Sequence, residues 1–345
     1  EKPVNWNQLR STAKPIVLYG MGNGADRILA ALAQHGLQAA GVFASDEFVR
    51  GQSFHGFPVL RYEEAKQHFG PMLVLLAFGT SLPSVLARIE AIAQEQELYA
   101  PDFPVAGDTL FDEAFYLAHR AELETVHARL ADAQSRFVLQ ELIAYKLTWD
   151  IRRLRACETD LDDAYTGLLQ LSAGESLVDL GAYRGDTVQQ FVRFCPDYRR
   201  ILAVEPDAYS FRQLQRSTAA LRACTCVQAL AGQEPGQAMF SARGGRGSHQ
   251  AASGICVPVV SADALLQGQP ASFFNIDVEG TEREALLGAA QTIRTYKPKL
   301  LLAAYHRSED LFALPQLVCS LRSDYRIYLR RHRQLPAWDI NFYFV

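Results

Sequence analysis

Short apolar runs alternate with stretches of helical spacing along residues 15–102. "PIVLYG", "QAAGVFAS" and "LVLLAFG" read as strands; "ADRILAALAQHG", "YEEAKQHF" and "LPSVLARIEAIAQ" read as helices. That alternation predicts a parallel sheet with crossover helices. Residues 106–165 show helical spacing without strand signals, in "FDEAFYLAHRAELETVHARL" and "SRFVLQELIAYKLTWDIRRLR", with Asp132 or Ser135 placed to cap the second helix. From Gly174 the alternation resumes, with strands expected at "SLVDLG", "RILAVEP", "TCVQALA", "FFNIDVEG", "KLLLAAYH", "YRIYLRR" and "INFYFV". No helix separates the last two, so they should pair antiparallel. Residues 232–261 break the rhythm with the glycine-rich "GGRGSHQAASG", an inserted hairpin or a mobile loop. The expected division is a Rossmann-like α/β domain over 1–105, a helical connector over 106–165 and a second α/β domain over 166–345.

Two glycine loops compete as ligand sites. In "LVDLGAYRGDT", Asp179 ends a strand, and Gly181 and Gly185 permit a sharp turn with close backbone approach to a ligand. Asp186 or Thr187 falls where the next helix starts and can cap it. The three-glycine dinucleotide pattern is absent there. The following strand ends in "LAVEP", placing Glu205 where an acid accepts both hydroxyls of a ribose. A third strand end, "FFNIDVEGTEREALLGA", carries Asp277 and Glu279 before Gly280 opens a helix. A strand–turn–helix with acids at both strand ends suits S-adenosylmethionine, whose amino group and ribose donate hydrogen bonds and whose sulfonium is a cation. The parallel sheet closed by an antiparallel hairpin is the arrangement of class I methyltransferases.

"VDLGAYRGDT", "AVEPD", "SADALL", "NIDVEGTEREALLGA" and "PKLLLAAYHRSEDL" together resemble the FkbM family of S-adenosylmethionine-dependent methyltransferases, over about residues 174–345. "IDVEG-x-E" is the most distinctive run, with Glu282 as its last acid. The N-terminal half also resembles the Rossmann-like part of longer members. The resemblance implies O-methylation of a hydroxyl on a sugar, glycan or related metabolite. It places Asp179, Gly181, Ala182, Tyr183, Gly185, Asp186 and Thr187 on the methionine side, Glu205 and Pro206 at the ribose, Ala229 near the adenine, and Asp277 at the transferring methyl.

A sugar hydroxyl is a poor nucleophile, so a general base helps, by roughly 10²–10⁴-fold. His306 follows "KLLLAAY" at a strand's end, and an imidazole's ordinary pKa, about 6.5, suits that role. Asp277 and Glu279 are the rival catalytic candidates. A His–Asp–Glu metal site stays an open alternative; the expectation is no metal.

The first loop, "GMGNGA", matches G-x-G-x-x-A with Gly20, Gly22 and Ala25, and Asp46 follows near the next strand's end. Taken alone it favours a dinucleotide, which leaves an NAD(P)-dependent oxidoreductase as one alternative and a non-enzymatic scaffold as another. No paired acid and base follows in that half to carry hydride transfer.

Length and charge narrow the rest. The 345 residues suit two domains, and 34 basic against 38 acidic residues announce no nucleic-acid face. Apolar runs such as "MLVLLAF" are too short to span a bilayer. The six cysteines form no C-x-x-C pair, and a reducing cytoplasm is the expected compartment. The sequence opens at Glu1, not methionine, so a preceding targeting segment stays open, as does a homo-oligomer. Arg243, Arg246 and His249 sit in the glycine-rich stretch, which either closes over an anionic substrate such as a nucleotide sugar or is a solvated surface loop.

Overall fold

The computed structural model describes residues 6, 8–241, 249–250 and 254–345. In chain order its strands are β1 (Ile16–Tyr19), β2 (Gly41–Phe43), β3 (Ser53–Phe54), β4 (Phe57–Leu60), β5 (Leu73–Leu76), β6 (Glu97–Tyr99), β7 (Ser176–Leu180), β8 (Arg200–Val204), β9 (Cys224–Val227), β10 (Leu230–Ala231), β11 (Gly236–Ser241), β12 (His249–Gln250), β13 (Ile255–Val260), β14 (Phe273–Ile276), β15 (Lys299–Ala303), β16 (Ile327–Arg331) and β17 (Ile340–Phe344).

The first six strands form one sheet in the order β3-β4-β2-β1-β5-β6, parallel except at the short β3–β4 pair. A seven-stranded sheet follows in the order β16-β17-β15-β14-β7-β8-β9. Only β17 there runs against its neighbours. This is the class I methyltransferase sheet expected from the sequence. Its central strands, "SLVDL" and "FFNI", are buried at every residue, so they read as near-continuous apolar runs without alternation.

β10 to β13 make a separate four-stranded sheet, in which β11 and β13 pair antiparallel as the inserted hairpin. Arg243 and Arg246 lie outside the described residues. His249 is described only by its backbone pairing with Ser241. One expected strand divides: "TCVQALA" supplies β9 to the large sheet and β10 to the small one.

Helices of 113–156 pack between the two large sheets. Asp132 caps the helix Ala133–Thr148 by accepting from Ser135 N at 2.7 Å. The same carboxylate takes Arg330 Nη2 at 2.6 Å, and the Ser135 hydroxyl accepts from Leu329 N at 3.0 Å. The cap that starts the helix therefore also docks it on β16. Isolated β-bridges join Thr80 to Leu335, Leu130 to Ile327 and Glu158 to Arg331, so this stretch of the second half anchors the first half and the helices together. A single hydrophobic cluster runs from Val17 and Val74 through Leu123 and Leu142 to Ile276 and Phe344.

Candidate active site

At the carboxyl end of β7 the chain must turn beneath β14. Gly181 has φ 87°, and a Cβ there would lie 1.8 Å from the Asp277 carbonyl oxygen, so only glycine fits. Gly185, φ 94°, precedes the helix Asp186–Phe194, and its Cβ would meet Ser217 Oγ at 2.5 Å. The turn is tied to the next strand: Gly181 N and Ala182 N both donate to Val204 O, at 3.0 and 2.9 Å. Glu205 completes the tie. Its carboxylate accepts from Tyr183 N and from Asp207 N, both at 2.8 Å, one bond to each oxygen. Burial pushes the Glu205 carboxyl up to about 7, against the pull of those two N–H groups.

The second group of acids sits across the turn. His306, just beyond β15, is fully buried. Burial alone would push its imidazole down. Glu282, 2.8 Å from Nδ1, pushes it up, helped by Asp277 at 3.4 Å and Glu279 at 3.6 Å from Nε2, and the balance settles at about 10. The sequence expectation of an imidazole with an ordinary pKa is thus replaced by a buried imidazolium. The Nδ1 contact with Glu282 has the length of a charge-assisted hydrogen bond, while the two longer contacts at Nε2 are ion pairs. Burial opposes ionisation of Glu282 too, but the His306 charge and the amides of Val278 (3.0 Å) and Gly280 (3.3 Å) hold it below the usual carboxylate range. The Tyr305 hydroxyl donates to Asp277 at 3.2 Å, and burial first, then the Asp277 charge, keeps it a phenol. Burial also raises the Asp277 carboxyl, against the opposing His306 charge.

These groups converge on one cavity of about 290 Å³. Of the residues expected from sequence, Gly181, Ala182, Tyr183, Asp186, Thr187, Glu205, Pro206, Asp277 and Glu279 line it. Four do not. Asp179 is fully buried within β7, bonded through one oxygen to Asn275 Nδ2 at 2.7 Å, with its other oxygen unpartnered. Burial lifts its carboxyl to about 7. Gly185 packs behind the turn on Ser217, Ala229 is buried beside the lining residues Leu230 and Ala231, and His306 lies under the cavity floor.

Sequence reading missed Ser81, Val105, Gln334, Trp338 and Asp339, which line the opposite wall. No motif marks them. Ala106 N donates to His306 O at 2.8 Å, which holds the segment carrying Val105 against the site. Tyr183, Glu279 and Asp339 all line the cavity with left-handed backbones, at φ 47°, 55° and 59°. Such non-glycine positions cost on the order of 1–3 kcal/mol and concentrate at functional sites.

The first glycine loop has a packing explanation. A Cβ on Gly24 would lie 2.0 Å from Ala77 O, and one on Gly20 would lie 2.5 Å from the Phe78 ring. Residues 20–25 do not line the cavity.

Residues 179–332 match the Methyltransferase FkbM domain. No curated protein matches the chain. Among solved structures, the methyltransferase FkbM of Methylobacillus flagellatus KT is similar over 99% of this chain and 92% of its own, at 22% identity and a TM-score of 0.77. A precorrin-6y C5,15-methyltransferase of Geobacter metallireducens GS-15 covers 51% of this chain and 81% of its own, at 13% identity and a TM-score of 0.35. Fibrillarin of Aeropyrum pernix, solved with natively bound S-adenosyl-L-methionine, covers 54% and 74%, at 14% identity and 0.35. The first of these similarities establishes the fold. Among the described residues no helix is long and apolar enough to cross a membrane.

Proposed function

Residues 179–332 are an FkbM methyltransferase domain, and from that premise we propose that the chain is an S-adenosylmethionine-dependent O-methyltransferase acting on a hydroxyl of a sugar, glycan or related metabolite. One observation carries the reading: a single cavity brings together the Gly181 turn, Glu205, Asp277 and Glu279.

The donor set fits this cofactor. Each Glu205 oxygen already holds one backbone N–H and has a lone pair left for a ribose hydroxyl. The lining is acidic, which suits a sulfonium and an ammonium. When bound, the cofactor supplies an electrophilic methyl carbon with a neutral thioether as leaving group. The protein holds the acceptor oxygen in line and takes its proton. We assign the proton to Asp277, which lines the cavity beside Tyr305, whose hydroxyl donates to it, and above His306, which pairs with it. Glu279 orients the hydroxyl. His306 is a positioning residue: an imidazolium that holds Asp277, Glu279 and Glu282 together.

Thermal unfolding with S-adenosylhomocysteine and, separately, NAD(H) tests the assignment. A ligand at a hundred times its Kd stabilises by about 2.7 kcal/mol. A response to the homocysteine compound alone is expected; a response to NAD(H) alone would favour the oxidoreductase. Glu205→Ala removes two hydrogen bonds to a carboxylate and should weaken S-adenosylhomocysteine binding by about 100-fold or more. The ribose hydroxyls need the ionised form. Affinity should therefore hold above pH 7 and fall by roughly tenfold per pH unit below it, which titration calorimetry across pH 5–8 would read.

Asp277, Glu282 and His306 offer three atoms within 4.8 Å of one another, close enough for a divalent cation to bridge. Chelation separates the two arrangements. The ion-pair reading expects kcat unchanged after dialysis against EDTA. A loss restored by Mg²⁺ or Mn²⁺ would replace it with metal-assisted deprotonation.

A further inference from the structure

Resting on the methyltransferase reading, we propose that the acceptor is an uncharged or cationic sugar ring, stacked on Trp338 beside Asp339, in a subsite that the first sheet completes. The described lining disfavours phosphorylated and carboxylated sugars.

Charge selects the class. Asp186, Glu205, Asp277, Glu279 and Asp339 line the cavity, and no Lys, Arg or His among the described residues does. Two guanidiniums, Arg27 and Arg307, line a neighbouring pocket that shares Val105 and Glu279 with this cavity; there Asp108 acts on Arg27, and Arg307 Nε donates to Gly280 O at 2.8 Å. A cationic cofactor and the imidazolium below the floor offset only part of that charge. An anionic group brought to the transfer point would meet like charge on several sides, which suppresses binding of such partners. A neutral polyol meets a wall of acceptors, and vicinal hydroxyls can donate to one carboxylate in pairs.

Shape selects the ring. Trp338 is half-buried and turns part of its indole to the cavity. A Cβ on Gly79 would lie 2.2 Å from Cζ3 of that indole, so the ring rests on bare backbone of the first half. The neighbouring residues lock together: Thr80 N donates to Leu335 O at 2.7 Å, and Leu335 N to Thr80 O at 2.9 Å. An indole face is electron-rich and attracts the weakly positive C–H face of a pyranose. Asp339 is held beside it. Its Oδ1 accepts from Asn341 Nδ2 at 2.7 Å and its carbonyl from His332 N at 3.0 Å, and Oδ2 accepts nothing from the described residues. Ser81, from the turn after β5, and Gln334 supply further hydroxyl partners. An aromatic platform with a few convergent polar groups is how small-molecule sites fix orientation. The first sheet therefore acts as a wall of the acceptor site.

Two measurements test this. Trp6 and Trp149 are each 6% exposed, so Trp338 is the indole open to a quencher. Caesium ion should quench it at least about threefold better than iodide, normalised to N-acetyltryptophanamide. Trp338→Phe should abolish the difference. Equal or better quenching by iodide would overturn the acidic subsite without reference to any acceptor. The second offers labelled S-adenosylmethionine with an array of neutral, amino, uronic-acid and phosphorylated glycans and nucleotide sugars. Label should enter neutral or amino glycans. Trp338→Ala should raise the acceptor KM at least about tenfold, Trp338→Phe should restore most of it, and Gly79→Ala should raise it as well. All three should leave S-adenosylhomocysteine Kd within about twofold. Label confined to acidic glycans or sugar phosphates, or none on any glycan while S-adenosylhomocysteine still binds, would overturn the subsite. Failure of S-adenosylhomocysteine to bind the wild-type chain would instead sink the methyltransferase reading.

Discussion

Asp277→Asn is expected to lower kcat by about 10²–10⁴-fold, the range in which a positioned general base acts. The amide keeps the shape of the carboxylate and can still accept from the Tyr305 hydroxyl, which lies 3.2 Å from Asp277 Oδ1. It cannot take a proton. S-adenosylhomocysteine affinity should change only a few-fold, because Glu205 and the Gly181 turn are untouched. Single-turnover rates at saturating cofactor would check this. A variant within threefold of wild type would remove Asp277 as proton acceptor, and Glu279→Gln would then be the variant to measure.

His306→Ala should cost about 3–5 kcal/mol of stability, because it strips the cation from a cluster holding the buried Glu282 carboxylate. The pH dependence distinguishes this from simple cavity formation. The folded pKa, about 10, lies above the unfolded value, about 6.5, so the folded state holds the proton more tightly. The stabilisation is fully present below pH 6.5 and is lost as pH rises through about 10. Urea unfolding of wild type and variant at pH 6 and pH 10.5 should show a gap that narrows at the higher pH. A constant gap would mean that His306 contributes by packing alone.

Part of this was legible in the sequence because it depends on neighbours in the chain. Buried strands separated by helices announce a parallel sheet, and the missing helix before "INFYFV" announces its antiparallel close. A glycine after a strand-end acid, as at Gly181, and an acid ending the next strand, as at Glu205, are local patterns with local causes. The division of "TCVQALA" into β9 and β10 was not legible, since both pieces are equally apolar and only the small sheet's partner strand separates them. The charge of His306 was hidden for a different reason. It is set by Glu282, which starts a helix on a different loop, and not by any residue beside it in the chain. Trp338 and Asp339 carry no motif at all. They reach the site because Thr80, far away in sequence, pairs with Leu335. Asp179 and Ala229 show the opposite case: each stands near a strand end where the sequence suggests a ligand contact, while Asp179 turns to Asn275 inside the sheet and Ala229 is covered.

A crystal structure of the chain with S-adenosylhomocysteine bears most directly on the whole account. The nucleoside should lie along the Gly181–Tyr183 turn with its ribose on Glu205 and its sulfur facing Asp277. Density confined to the Gly20 loop, or to any place away from Glu205, would contradict it.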